Sequence, residues 1–193
     1  MNYDLIVLGS GPGGYVAAIR AAQLGMKTAV VEKSELGGVC LNWGCIPTKA
    51  LLKSAQVYEY LMHAQDYGVK ATGVEADFQA IVKRSRGVAD AMSKGVQFLM
   101  KKNKIDVITG AGKLKKGGIV EVTDAAGKKT DYSAKHIILA TGAHSRELPN
   151  VKQDGKNIIG YREAMTLATQ PKSMVVMGSG AIGMEFAYFY NTM

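Results

Sequence analysis

The sequence predicts an α/β fold in three layers, a parallel sheet joined to an antiparallel β-meander, and three observations carry that reading. LIVLGSGPGG at residues 5–14 returns as MVVMGSGAIG at residues 174–183, so a glycine turn between an apolar run and a helix occurs twice. Two long amphipathic stretches lie between the copies. After them, residues 105–133 break into short β segments separated by KKGG and DAAGK. A strand, glycine turn, helix and second strand open a parallel βαβ unit, and short alternating segments between tight turns form a meander.

Each element follows from its residues. YDLIVL, starting at Tyr3, is an apolar run of strand length. The glycine turn and a helix follow it, then a second strand at residues 28–31. A helix is expected over residues 48–67, with Leu51, Ala55, Tyr58 and Met62 on one face and Gly68 as its stop. Asp77 caps a longer helix whose apolar side carries Phe78, Ile81, Val82, Val88, Met92, Val96 and Leu99. HIILATG reads as a strand after the meander, and residues 149–171 as a connecting segment. Met184, Phe186, Ala187, Phe189 and Tyr190 form an apolar helix face that must find cover, so association, non-native docking or disorder is expected over residues 171–193.

A chain of 193 residues with 47% hydrophobic content can bury one sizeable core and begin a second. No apolar run approaches the roughly 18 residues that cross a bilayer, and a strand starting at Tyr3 leaves no room for a secretory signal. A cytoplasmic location is therefore expected, where a disulfide is more often catalytic than structural. The net charge of +8 raises the question of nucleic acid or a membrane surface. The lysines of KRSRGVADAMSKGVQFLMKKNK lack the interleaved aromatics of a stacking platform, so solvated helix faces account for them and neither partner is expected.

Gly9, Gly11 and Gly14 have the spacing of a dinucleotide turn. The first permits a tight turn, the second lets the backbone approach a pyrophosphate, and the third lets helix and strand pack closely. The anion sits on the positive end of the helix, and Glu32, near the end of the second strand, can accept from ribose hydroxyls. A turn that only joins strand to helix is the competing reading. For Gly178, Gly180 and Gly183 that competitor, helix-packing glycines, is stronger.

Both cysteines, Cys40 and Cys45, fall within GGVCLNWGCIPTKALL. A bridge between them closes a loop of about six residues, worth only about 2 kcal/mol as a staple. Cys45 stands just before Pro47 in the first turn of the expected helix, where the positive dipole end favours a thiolate and a reversible dithiol couple. Two reduced core cysteines or a structural bridge remain open. A metal site has no His or third Cys nearby to complete its ligands.

GGVCLNWGCIPTK resembles the redox-active segment of the flavin-dependent pyridine nucleotide-disulfide oxidoreductases. Leu41, Asn42, Ile46 and IPTKALL are most similar to the branch that oxidises dihydrolipoamide, and the resemblance spans the whole chain. It implies a Rossmann-like FAD-binding domain over residues 1–146 and a connecting segment over 147–170. From residue 171 it implies the first βα unit of a Rossmann-like NAD-binding domain. Gly9, Gly11, Gly14 and Glu32 would hold the adenosine diphosphate half of FAD, with Gly38 and Lys49 nearer the ring and Ser10, Pro12, Gly13, Lys33 and Val39 completing those segments. Gly112 in GAGKL, and Thr141 with Gly142 in ATGAHSRELP, match later flavin-contacting segments, while Gly178, Gly180 and Gly183 match the NAD fingerprint.

The resemblance also assigns chemistry. Cys40 matches the interchange thiol and Cys45 the thiolate beside the flavin; Glu185 matches an acidic residue that pairs with the Lys49 position. Trp43 stands where valine is most often found, a change expected to affect packing rather than chemistry. Electrons would pass from dihydrolipoamide on a lipoyl domain through the cysteines and FAD to NAD⁺, in a homodimer that serves 2-oxo-acid dehydrogenase complexes. The family's catalytic His and its Glu partner lie in a C-terminal interface domain beyond residue 193, and His63, His136 and His144 match no such motif. The 193 residues alone are therefore expected not to turn over. Rival readings are a glutathione or mercuric reductase type and a redox-inert nucleotide-binding assembly module.

Overall fold

The structure, a computed structural model, describes residues 2–193 and divides into two compact units. One comprises the chain up to Asn42 together with Asp90–His144; the other comprises Trp43–Ala89 and Ser145–Met193.

The first unit is a six-stranded sheet. β1 (Asn2–Leu8), α1 (Pro12–Gln23), β2 (Thr28–Glu32), β3 (Asp106–Thr109), β4 (Ala111–Lys115), β5 (Ile119–Thr123) and β6 (Lys129–Leu139) give the order β3-β2-β1-β6-β5-β4. β3, β2, β1 and β6 run parallel, while β4, β5 and β6 form the antiparallel meander. Val120 and Val122 of β5 share one core with Ile6 and Leu8 of β1 and Ala29 and Val31 of β2. α1 buries Gly14, Ala18 and Ala21 and packs on β1 and β2, the small residues bringing its axis close.

Two strands depart from the sequence reading. β3 joins the parallel sheet beside β2, because a strand that returns after a long helix completes another crossover rather than starting a hairpin. β6 is one strand of 11 residues: its first half pairs with β5 from Lys129 to Ser133 and its second half with β1 as far as Leu139. The expected break after Ser133 is absent, since no glycine or proline interrupts residues 129–139.

The second unit is helical. It holds α3 (Cys45–Met62), a 3-10 turn (Ala64–Tyr67), the first half of α4 (Phe78–Lys102), α5 (Tyr161–Met165) and α6 (Ala181–Thr192). α3 starts three residues before the expected Thr48. Pro47 is tolerated there because the amide it lacks is one that the first turn leaves unbonded anyway. Gly68 ends the 3-10 turn with φ +71°, and the Asp77 carboxylate accepts from the Ala80 amide at 2.9 Å at the start of α4.

α6 finds its cover on α3. Phe186 and Phe189 are buried with Leu51, Ala55, Ala164 and Met165, and Phe78 packs 6.1 Å from Phe189 between ring centroids. Each such ring removes enough apolar surface to contribute about 2 kcal/mol or more. The helix is thus ordered, whereas Val175, Met177 and Met184 are 89%, 65% and 58% exposed. Residues 173–177 form no ladder with any strand among the described residues, so the expected second βα unit is represented by its glycine turn and helix.

Candidate functional site

Chain order along the parallel strands reverses between β1 and β6, and a crevice at the carboxyl ends of such strands is where an open α/β sheet takes its ligand. Gly9 follows β1, residues 140–142 follow β6, and Glu32 ends β2. The three glycines of the turn divide its labour. Gly9 has φ +97° and a side chain there would meet the Ala140 carbonyl oxygen at 2.2 Å. Gly14 lies so close to the strand that its β-carbon would stand 1.9 Å from the Gly9 oxygen. Gly11, the residue capping α1, faces open space. That is the cradle a diphosphate needs: free approach at the middle glycine, with the first amides of a 12-residue helix behind it.

Glu32 is set as an acceptor at one side of the cradle. The Ser10 hydroxyl and amide donate to its Oε2 at 2.6 and 2.9 Å, and the Ser34 amide to its Oε1 at 3.0 Å. Partial burial pushes this carboxyl up, but the Ser10 hydroxyl and the amides of Ser10, Ser34 and Lys33 outweigh it and hold the group below its ordinary value. It is therefore an ionised acceptor at neutral pH. On the other side, Gly38 opens α2 (Gly38–Trp43) with φ +62°, and a β-carbon there would lie 2.7 Å from the Gly11 Cα. A diphosphate with an adjoining ribose is the chemistry that this donor and acceptor set suits.

Cys40 lies in α2 and Cys45 is the first residue of α3 after the Gly44 cap. Both are disulfide-bonded, and as the chain has only these two they are bonded to each other. The bridge excludes the reduced-core reading for this state. Its position places one sulfur where a thiolate released on reduction meets the unbonded amides of a helix of 18 residues.

The model of the family described as pyridine nucleotide-disulphide oxidoreductase matches residues 3–193. The chain belongs to the pyridine nucleotide-disulphide oxidoreductases. It is 53% identical to a dihydrolipoyl dehydrogenase of Rhizobium etli over all of this chain and 43% of that protein, and 52% identical to one of Zymomonas mobilis over 98% and 41%. The crystal structure of LpdA from Mycobacterium tuberculosis superposes with a TM-score of 0.89 at 28% identity, covering 97% of this chain and 42% of that one. The chain thus spans about two fifths of the length of these relatives.

Within this oxidoreductase fold the remaining expected residues take distinct places. Lys49 and Glu185 form an ion pair between α3 and α6. Pro12, Gly13, Lys33 and Val39 are exposed beside the turn and at the start of α2. Ser10 is fully buried, its side chain committed to Glu32 and to the Gly37 amide at 3.2 Å. Gly112 lies in β4, where a β-carbon would stand 2.5 Å from Leu8, so close packing on the core already requires glycine. Thr141 and Gly142 are exposed at the end of β6, Gly142 with φ +76°.

Several supporting residues carry no motif signal. Gly37 has φ +100° and its amide also donates to the Ser10 carbonyl at 3.1 Å, which ties α2 to the glycine turn. The Asn42 side chain donates to the Leu36 and Gly38 carbonyls at 3.0 and 2.9 Å, and the Ser93 hydroxyl, from α4, donates to Leu36 at 2.9 Å. The glycine doublet 37–38 hints at Gly37. Ser93 has no sequence signal, because its partner is 57 residues away.

Proposed function

We propose that this chain is the flavin- and disulfide-bearing part of a dihydrolipoyl dehydrogenase, an enzyme that oxidises dihydrolipoamide to lipoamide with NAD⁺. The observation that carries the proposal is the Cys40–Cys45 disulfide at the start of α3, in a chain whose glycine cradle and Glu32 suit a dinucleotide. A substrate thiolate attacks Cys40, the disulfide opens, and Cys45 leaves as a thiolate met by the helix start. The second substrate thiol then resolves the mixed disulfide, so two electrons enter the cysteine pair and the substrate leaves oxidised. Lys49, held by Glu185, keeps a cation one helical turn beyond Cys45. Bound FAD would supply the acceptor for those electrons, and NAD⁺ the final hydride acceptor.

In this reading residues 1–146 form an FAD-binding domain, residues 147–170 connect, and an NAD-binding domain begins at 171 with Gly178, Gly180 and Gly183 as its fingerprint. Gly9 to Gly14 and Glu32 hold the adenosine diphosphate half of FAD, with Lys33, Gly38, Val39, Lys49, Gly112, Thr141 and Gly142 as its further contacts; Cys40, Cys45, Lys49 and Glu185 serve the chemistry. The partners are a lipoyl domain, a 2-oxo-acid dehydrogenase complex and a second copy of the chain, in the cytoplasm. Among the described residues no helix is long and apolar enough to cross a membrane.

The test is spectral. The purified protein should carry a yellow flavin chromophore, and dihydrolipoamide should raise a long-wavelength absorbance that Cys45→Ser abolishes. A colourless protein that gains no absorbance with added FAD would refute the proposal, and reduction of glutathione disulfide or of mercuric ion by a reduced nicotinamide, with no oxidation of dihydrolipoamide, would reassign the substrate.

A further inference from the structure

α2 carries Cys40 at its third residue and has six residues in all, too few to persist as an isolated helix. The backbone just before it is loose by composition. Gly37 and Gly38 both take the left-handed region, with φ +100° and +62°, and glycine loses more chain freedom than any other residue when it is fixed. Helix propensity therefore does not seat this segment.

Two kinds of restraint do. One is covalent, the Cys40–Cys45 bond. The other is a set of hydrogen bonds around Leu36, four residues before Cys40, whose carbonyl oxygen accepts from two side chains. Asn42 Nδ2 donates at 3.0 Å from within α2 itself. The Ser93 hydroxyl donates at 2.9 Å from the part of α4 that belongs to the same unit, so a helix of 25 residues gives it a rigid mount outside the segment. The next amide, that of Gly37, donates to the carbonyl and hydroxyl oxygens of Ser10 at 3.1 and 3.2 Å. Ser93, Asn42 and Ser10 are all buried, where water is a poor substitute for a lost partner.

The disulfide and the Ser93 bond order the same short stretch. Each leaves the other less conformational entropy to remove, so the two restraints reinforce one another, and the reinforcement is reciprocal. We propose that Ser93 is a positioning residue for Cys40: by holding the Leu36 carbonyl it keeps α2 seated when the disulfide opens, and so favours reclosure. The inference rests on the disulfide being the working redox centre. Reduction by a dithiol breaks the Cys40–Cys45 bond, forms one S–S bond in the reductant and leaves two electrons and two protons on the cysteine pair. With Ser93 in place the opened pair keeps its sulfurs within reach of each other. Without that hydroxyl the dithiol state gains freedom that the bridged state cannot use, and the equilibrium moves toward the dithiol.

Equilibration of the protein in graded mixtures of reduced and oxidised dithiothreitol, with thiols trapped by alkylation and counted by mass, reads this constant without any cofactor signal. A bond that only stabilises the fold weakens both redox states alike and leaves the constant unmoved. The shift is bounded by what one hydrogen bond contributes, so Ser93→Ala should raise the equilibrium constant for reduction by about two- to tenfold. Ser93→Thr, which keeps the hydroxyl, should stay within about twofold of the unsubstituted protein. Amide exchange in the unsubstituted protein keeps the inference testable if a variant does not fold: after reduction the Gly37 amide should remain protected to within about tenfold of its rate in the disulfide form. An unchanged or lowered constant in Ser93→Ala, a Thr variant that shifts as far as the Ala variant, or loss of Gly37 protection on reduction would each overturn the inference. A disulfide that cannot be reduced and reoxidised at all would overturn the functional reading and, with it, the inference.

Discussion

The glycine turn at residues 9–14 sits inside a sheet, and the turn at residues 178–183 takes nearly the same backbone with no sheet around it. Gly9 and Gly178 have φ +97° and +116°; Gly11 and Gly180 cap their helices at φ, ψ of −63°, −178° and −72°, 169°. A β-carbon on Gly14 would meet the Gly9 oxygen at 1.9 Å, and one on Gly183 the Gly178 oxygen at 2.3 Å. The turn itself is therefore dictated within six residues. What differs is the company it keeps: Gly9 abuts the Ala140 carbonyl and Ser10 holds Glu32, whereas Gly178 faces open space. Local sequence sets the turn, and tertiary neighbours turn it into a cradle.

The largest expected effects fall on the first turn. Gly9→Ala combines a left-handed backbone that costs about 1–2 kcal/mol with a backbone clash that costs about 1–3 kcal/mol more. A denaturant midpoint lowered by that sum, with loss of retained FAD, is the expected outcome. Gly178→Ala adds only the backbone strain, so equal losses from the two substitutions would erase the contrast.

Glu32 ranks next. Hydrogen bonds to a charged acceptor are worth about 1.5–3 kcal/mol, and partial exposure places Glu32→Gln at the low end. The sign with pH is fixed: the folded-state value lies below the unfolded one, near 4.5, so the stabilisation is complete above that value and is lost as pH falls through the folded-state value. Urea titrations between about pH 3 and 7 should show the unsubstituted protein gaining stability over the Gln variant as pH rises. Parallel profiles would mean that the Ser10 and Ser34 bonds do not hold the carboxylate.

Gly183→Ala should cost less than Gly14→Ala. The two would meet comparable carbonyl oxygens, but residues 173–177 belong to no ladder and can shift to make room, while Gly14 packs against a strand paired on both sides. A loss of about 1 kcal/mol for Gly183→Ala, against about 3 for Gly14→Ala, is expected in thermal unfolding.

Much of this contrast was legible in the chain. Both glycine turns and the Asp77 cap follow from local rules and appear as expected, whereas the helix expected to run to Gly68 ends at Met62, with a 3-10 turn over Ala64–Tyr67 before that glycine. What the pattern missed depends on distant partners. Nothing near Ile105 tells that β3 will pair with β2, and nothing near Phe186 names Leu51 and Ala55 as its cover. The apolar run at 173–177 has strand composition, yet a strand exists only where a neighbour accepts its hydrogen bonds. The spacing around Trp43 is silent on charge, and Arg86 and Arg162 reach its ring from 43 and 119 residues away in the chain.

The smallest effect belongs to the ion pair that joins the second turn's helix to α3. Glu185 stands two residues beyond Gly183, and its partner Lys49 is 60% exposed at the side chain, so water screens the pair. Such exposed pairs contribute about 0–1 kcal/mol, and Glu185→Gln should leave the unfolding midpoint almost unmoved. The apolar contacts of Phe186 and Phe189 hold α6, and Phe189→Ala should cost about 3–5 kcal/mol in the same assay. Lys49 is one turn beyond Cys45, so Glu185→Gln should instead appear in the chemistry, as altered thiol reactivity at near-native stability. If Glu185→Gln unfolds α6 while Phe189→Ala does not, electrostatics rather than apolar burial seats that helix, and the second turn would have a tertiary setting as demanding as the first.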